Sequence, residues 1–217
     1  MTHPILIGKL GLARKPAHCI VYHNVRCYWG GRLEANFCAR AGPTPMLEKP
    51  LEMTPPAVRE TLAPLRNDFS LAVVAPGNAF TIGAVIRVAH NFLAREVFVV
   101  GIETYYPKAS MGMEKYETIR RLENAAELAL ACAGRPIWAV EKDHARRSIQ
   151  SIANFPRDVV FAFGSERFGL PEEILDEADE IVGIPTYGVN HSLPVTVAVG
   201  IVVHEWARRH YVEGKTL

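Results

Sequence analysis

Arg87 lies in a stretch otherwise built from small and apolar residues, Thr81-Ile82-Gly83-Ala84-Val85-Ile86-Arg87-Val88-Ala89. A guanidinium in that setting is either a solvated edge or an anion site, because its fork of donors pairs bidentately with phosphate or carboxylate. A second stretch, Gly164-Ser165-Glu166-Arg167-Phe168-Gly169-Leu170-Pro171, sets a carboxylate between two glycines directly after an apolar run. Gly164 lets a ligand approach the backbone closely. Taken alone, the stretch reads more simply as a tight turn with Glu166 near a helix N-terminus. The third, Ile184-Pro185-Thr186-Tyr187-Gly188-Val189-Asn190-His191-Ser192-Leu193-Pro194-Val195, leads into a long apolar segment. Ser192 stands where an N-cap is expected, and its hydroxyl can satisfy a helix N–H while facing a ligand. His191 reads as a surface residue and is left out of the site.

The elements that must position these residues alternate between short apolar runs and helical stretches. Strands are expected over 71–75, 97–100, 137–140, 159–163 and 180–184, and helices over 56–66, 82–93, 116–133, 145–152, 171–178 and 195–210. Near-continuous apolar strands alternating with helices predict an α/β fold, a parallel sheet covered on both faces. Ligands in such sheets collect beyond the carboxyl ends of the strands, so the loops after Val140, Phe163 and Ile184 are the ones to watch. The prolines between residues 41 and 56 mark a boundary. We therefore expect an N-terminal extension over 1–55 and a main α/β domain over 56–217.

Composition narrows the class. Of 217 residues, 49% are apolar and 22% charged, which is ordinary globular usage. No apolar run approaches the roughly 20 residues that span a bilayer, and the first residues lack a secretory layout, so no membrane association and a cytoplasmic location are expected. The four cysteines, Cys19, Cys27, Cys38 and Cys132, form no C-x-x-C pair, and with His18 and His23 they match no common metal spacing. No metal is expected. The net charge of +1 conceals an asymmetry: residues 1–68 carry nine Lys/Arg against five Asp/Glu, and 69–217 carry fifteen against eighteen. Tyr22, Arg26, Tyr28, Trp29 and Arg32 in the basic part suit phosphates and unstacked bases, or equally a packed hairpin with solvated arginines.

The order and spacing of the three stretches resemble the motifs of the SpoU/TrmH branch of the SPOUT RNA methyltransferases. That pattern is an N-x-G-x-x-x-R helix, a F-G-x-E-x-x-G-L-P loop and an I-P-x-x-G-x-x-x-S-L-N-V segment. Here they read T-I-G-A-V-I-R, F-G-S-E-R-F-G-L-P and I-P-T-Y-G-V-N-H-S-L-P-V. The resemblance covers roughly residues 69–210. It implies a C-terminal trefoil knot, a homodimer and S-adenosyl-L-methionine as cofactor, with methylation of a ribose 2′-hydroxyl of tRNA or rRNA. Carried over by motif position, Gly164, Ile184, Leu193 and Ser192 line the cofactor pocket and Val140 closes its adenine side. Arg87 is the expected catalytic residue, with Glu166 fixing Arg87 or the loop and Ser192 holding the hydroxyl or the cofactor. Thr81 and Arg87 are expected to meet the substrate.

Three positions depart from the pattern. Thr81 and Pro194 stand where asparagines are usual, and Leu93 stands where a glycine usually follows the phenylalanine. Proline cannot donate from its backbone, so any amide contact at 194 is gone. Two alternatives stay open: a non-catalytic RNA-binding member of the same fold, and a methyltransferase acting on a base. A nucleotide-binding protein unrelated to RNA is disfavoured by the absence of G-x-G-x-x-G and of the phosphate-loop pattern.

Overall fold

The structure, a computed structural model, describes residues 53–74, 77–190 and 192–210. The aromatic and cysteine-rich part of the N-terminal extension and His191 lie outside the described residues. The elements run α1 (Pro55–Leu62), β1 (Ser70–Val74), α2 (Ala79–Asn91), β2 (Val97–Val100), α3 (Pro107–Ser110), β3 (Ile119–Leu122), α4 (Ala125–Cys132) and β4 (Ile137–Val140). They continue through β5 (Arg147–Ser148), β6 (Val160–Phe163), α5 (Glu172–Asp176), β7 (Glu180–Gly183) and α6 (Val195–His210). All seven strands are parallel, in the order β3-β2-β1-β6-β4-β7-β5.

The period of two along each strand sorts the core into two layers. Leu71, Val73, Phe161 and Phe163 face Ile82, Val85 and Ile86 of α2 and Val199, Val202 and Trp206 of α6. The alternate residues Ala72, Val74, Ala139 and Ala162 face Leu128 and Cys132 of α4 and Ile174 and Leu175 of α5. The larger side chains lie on the α2/α6 layer, where full burial of each contributes roughly 1.5–3 kcal/mol.

Local chemistry sets the ends of α2. Asn78 accepts a hydrogen bond from the Phe80 N–H (2.9 Å) and starts the helix. Beyond its last turn Leu93 takes a left-handed conformation, φ 47°, which explains why a glycine suits that position. Below the sheet, Glu117 ties α2 to the segments around it. Its buried carboxylate accepts from Arg66 Nη1 (2.6 Å) and Nη2 (3.1 Å) and pairs with His90 Nδ1 (2.8 Å) on α2.

Two expected helices are corrected. Residues 116–133 are not one helix: Ile119–Leu122 is an edge strand paired with β2, and a new helix begins only at Ala125, where Asn124 accepts from the Glu127 N–H (3.0 Å). The polar Arg120 and Arg121 hid the strand, since an edge needs no continuous apolar run. Residues 145–152 are not a helix either. Arg147 and Ser148 pair with Val182 and Gly183 of β7, and a 3₁₀ turn follows over Ile149–Ser151. The apolar spacing of Ile149 and Ile152 suggested an α-helix, but the backbone of β7 takes the partners. α3 carried no sequence signal. Among the described residues no helix is long and apolar enough to cross a membrane, and no group of three or more His, Cys, Asp or Glu could hold a metal ion.

Burial pushes the Glu117 carboxyl up, but the His90 and Arg66 hydrogen bonds outweigh it and hold the pKa below the ordinary glutamate value. Its contribution to stability is therefore present above that range and lost as pH falls through the lowered folded-state value. Glu117→Gln, which leaves Arg66 without its charge partner, is expected to cost about 3 kcal/mol. Urea unfolding at neutral pH checks the loss, and the variant should show a shallower fall in stability on acidification than the natural chain.

Candidate active site

β4 is flanked by β6 on one side and β7 on the other, so the loops leaving their carboxyl ends emerge side by side. Between them lies a cavity of about 320 Å³, within the range that suits small-molecule ligands. Val140, Gly164, Ile184, Ser192 and Leu193 all line it.

The loop after β6 closes on itself. Ser165 and Gly169 exchange backbone hydrogen bonds (3.1 and 3.0 Å), and the Ser165 hydroxyl accepts from the Phe168 N–H (3.0 Å). A Cβ at Gly164 would stand 2.0 Å from the Gly169 carbonyl carbon, so only glycine permits this closure. Gly169 itself has φ +67°. Glu166, at the tip, accepts a hydrogen bond from the Thr81 hydroxyl (3.1 Å), anchoring the loop to the first turn of α2. Thr81 is only 4% exposed. The residue that departs from the family asparagine thus spends its hydroxyl on the loop's carboxylate.

Ser192 does not cap α6. Its hydroxyl donates to Asn190 Oδ1 (2.9 Å), as does its N–H (3.0 Å), while the Pro194 carbonyl accepts from the Val197 and Ala198 N–H groups (2.9 and 3.0 Å). The helix begins one residue after a proline whose missing N–H costs nothing at that position, because a helix leaves its first N–H groups unpaired. This is the physical reason the capping expectation fails.

Arg87 is exposed on α2 and does not line the cavity of its own chain. It sits about 9 Å along the helix axis from Thr81 and on a different face. Among the described residues it has no hydrogen-bond or ion-pair partner, so Glu166 binds Thr81 rather than Arg87. Sequence reasoning missed Glu141, which also lines the cavity and whose carboxylate accepts from the Leu170 N–H (3.0 Å). The only available signal was its place directly after an apolar strand.

A family model described as "SpoU rRNA Methylase family" matches residues 68–204, more than half of the chain. The chain belongs to the SpoU rRNA methylase family. Among its relatives, the tRNA (cytidine-2'-O-)-methyltransferase TrmJ of Sulfolobus acidocaldarius is 30% identical over 153 residues. That match covers 64% of this chain and 65% of the relative, so the chain spans slightly less than two thirds of its length. A TrmH/SpoU tRNA modifying enzyme of A. aeolicus has the same fold, with a TM-score of 0.62 at 22% identity, over 73% of this chain and 86% of the other. The SpoU methyltransferase AviRb of Streptomyces viridochromogenes, solved in complex with AdoMet, superimposes with a TM-score of 0.59 at 26% identity, over 66% and 58% of the two chains.

The closure of the glycine loop gives a direct check on the site. Gly164→Ala is expected to destabilise the protein by about 1–3 kcal/mol, because the added methyl forces the two backbones apart. Amide hydrogen exchange at Ser165 and Gly169 should accelerate, while exchange in β1 and β2 stays unchanged.

Proposed function

We propose that the chain transfers a methyl group from S-adenosylmethionine to a ribose 2′-hydroxyl of tRNA or rRNA. The observation that carries this reading is the meeting of the two motif-bearing loops, after β6 and after β7, with the loop after β4 around one cavity. The residues present fit an adenosyl ligand. Val140, Ile184 and Leu193 offer apolar walls, and the backbone of the loop closed at Gly164 and Gly169 stands beside them. When bound, the cofactor supplies an electrophilic methyl group on a sulfonium.

The protein has to hold a weak nucleophile against that methyl and help its proton leave. The Ser192 hydroxyl, donating to Asn190 Oδ1, keeps lone pairs to accept from the 2′-hydroxyl or from the cofactor. Glu166, bound to Thr81, holds the loop in place. Arg87 stays protonated and binds a phosphate beside the target ribose, orienting the nucleotide, and the 2′-hydroxyl proton passes to an oxygen of that phosphate and on to water. Because Arg87 does not line its own cavity, it serves the cavity of a second subunit, which makes the working unit a homodimer. The exposed Val197, on the outer side of α6, gives that dimer an apolar contact.

The C-terminal knot belongs to the same reading. β7 pairs with β4 on one side and with the earlier β5 on the other, a strand order that supports a knotted C-terminal segment. Residues 1–55, within the basic part of the chain, act as an arm on the RNA, and the protein works in the cytoplasm, where tRNA and rRNA are modified.

Incubation of the full chain with methyl-labelled cofactor and separated tRNA and rRNA, followed by nuclease digestion and nucleoside mass analysis, tests the reading. A 2′-O-methylnucleoside is expected, and a base-methylated product or no incorporation would refute it. Arg87→Ala should lower kcat by a factor of about 100 or more with cofactor affinity unchanged. Mixing Arg87→Ala with Gly164→Ala subunits should restore activity, since one cavity of the mixed dimer then has both parts; no restoration would place Arg87 on its own cavity or outside the chemistry.

A further inference from the structure

We infer that Glu141 sets the width of the cofactor cavity by joining the loop after β4 to the loop after β6 beside β7, and is thereby a positioning residue for cofactor binding rather than for methyl transfer. The inference rests on the cofactor reading above and adds to it a residue outside the three motifs.

Glu141 is the first residue after β4, and each of its polar groups reaches a different segment. Its N–H donates to the Val182 carbonyl of β7 (3.1 Å). Its Oε1 accepts from the Lys142 N–H of its own loop (2.8 Å). Its Oε2 accepts from the Leu170 N–H at the end of the loop after β6 (3.0 Å). The sheet ladder pairs Val140 with Phe163 and with Val182, and beyond those residues the strands diverge. The side chain of Glu141 therefore continues sideways the connection that the ladder ends.

Gly169 carries the imprint of this contact. A Cβ added there would lie 2.5 Å from Glu141 Oε2, so the carboxylate occupies the space a side chain at 169 would need. Leu170 is buried in the α4/α5 layer, which fixes the backbone N–H that Glu141 grips. One end of the link is thus rooted in the core and the other in β4. Neither N–H can turn to another acceptor without moving backbone, and a carboxylate is the side chain that serves both as acceptor only.

The expected phenotype follows from that geometry. In Glu141→Gln the amide group keeps one acceptor oxygen and turns a donor toward the other N–H, so one of the two bonds is lost. S-adenosylmethionine and S-adenosylhomocysteine should bind about tenfold more weakly, and on the order of 100-fold more weakly in Glu141→Ala, the range for loss of one or more charge-assisted hydrogen bonds. At saturating cofactor kcat should change by less than about threefold, so the defect appears in KM for the cofactor. A purely structural role would lower thermal stability without this split. Gly169→Ala should weaken binding similarly in the natural chain and less in the Glu141→Ala background, because the clash partner is then absent.

Calorimetry of the full chain and these variants with S-adenosylhomocysteine, combined with hydrogen exchange at the Leu170 amide, decides the matter. Weakened binding together with faster Leu170 exchange is the expected result. If the natural chain binds and Glu141→Ala binds equally well, the inference is overturned while the cofactor reading stands. If the natural chain itself does not bind, the cofactor reading fails, and the exchange of Leu170 then shows whether Glu141 holds the loops at all. Unchanged exchange of both the Lys142 and the Leu170 amides in Glu141→Gln overturns the link outright, and that variant preserves the side chain's volume if Glu141→Ala does not fold.

Discussion

The structure depends on the pairing of β4 with two strands that come after it in the chain. β6 takes one edge and β7 the other, while β5, which follows β4 directly, is pushed outside β7. Parallel strands present their carboxyl ends on the same side, so this arrangement delivers three loops to one place. The cost is that the connection from β4 to β5 must pass the position of β7. The return is a cavity whose lining loops all spring from neighbouring strands of the sheet.

Around that arrangement the polar contacts divide the labour. The closed turn of Ser165 and Gly169 fixes the shape of the central loop, Thr81 ties its tip to α2, and Glu141 ties its base to β4 and β7. None of these groups is aligned by local helix or strand propensity. Each lies at the end of an element whose apolar face is buried, so packing supplies the rigidity and short hydrogen bonds transmit it to the site. Arg87 is the exception. It stands exposed on the same helix as Thr81 yet away from the cavity, which is why a second subunit enters the functional reading.

Much of this was legible in the residues. The runs 97–100, 137–140 and 195–210 fall on β2, β4 and α6 without adjustment, because continuous apolar segments and a long helical pattern leave little ambiguity. The five pocket residues carried over by motif position do line one cavity. What escaped was decided by tertiary pairing. β3 is an edge strand whose two arginines break the apolar pattern, and β5 is two residues long and exists because β7 needs a partner. Ser192 fits a capping pattern by sequence, yet the helix starts after Pro194. Glu141 looked like any charged loop residue, since its reach to Leu170 arises only when β4 and β6 lie side by side.

The central claim is that the loops after β4, β6 and β7 act together as one cofactor site. Hydrogen–deuterium exchange of the full chain with and without S-adenosylhomocysteine measures this most directly. Simultaneous protection of 141–146, 164–170 and 184–193 is the expected result. Protection confined to one loop, or located elsewhere in the chain, would contradict the account.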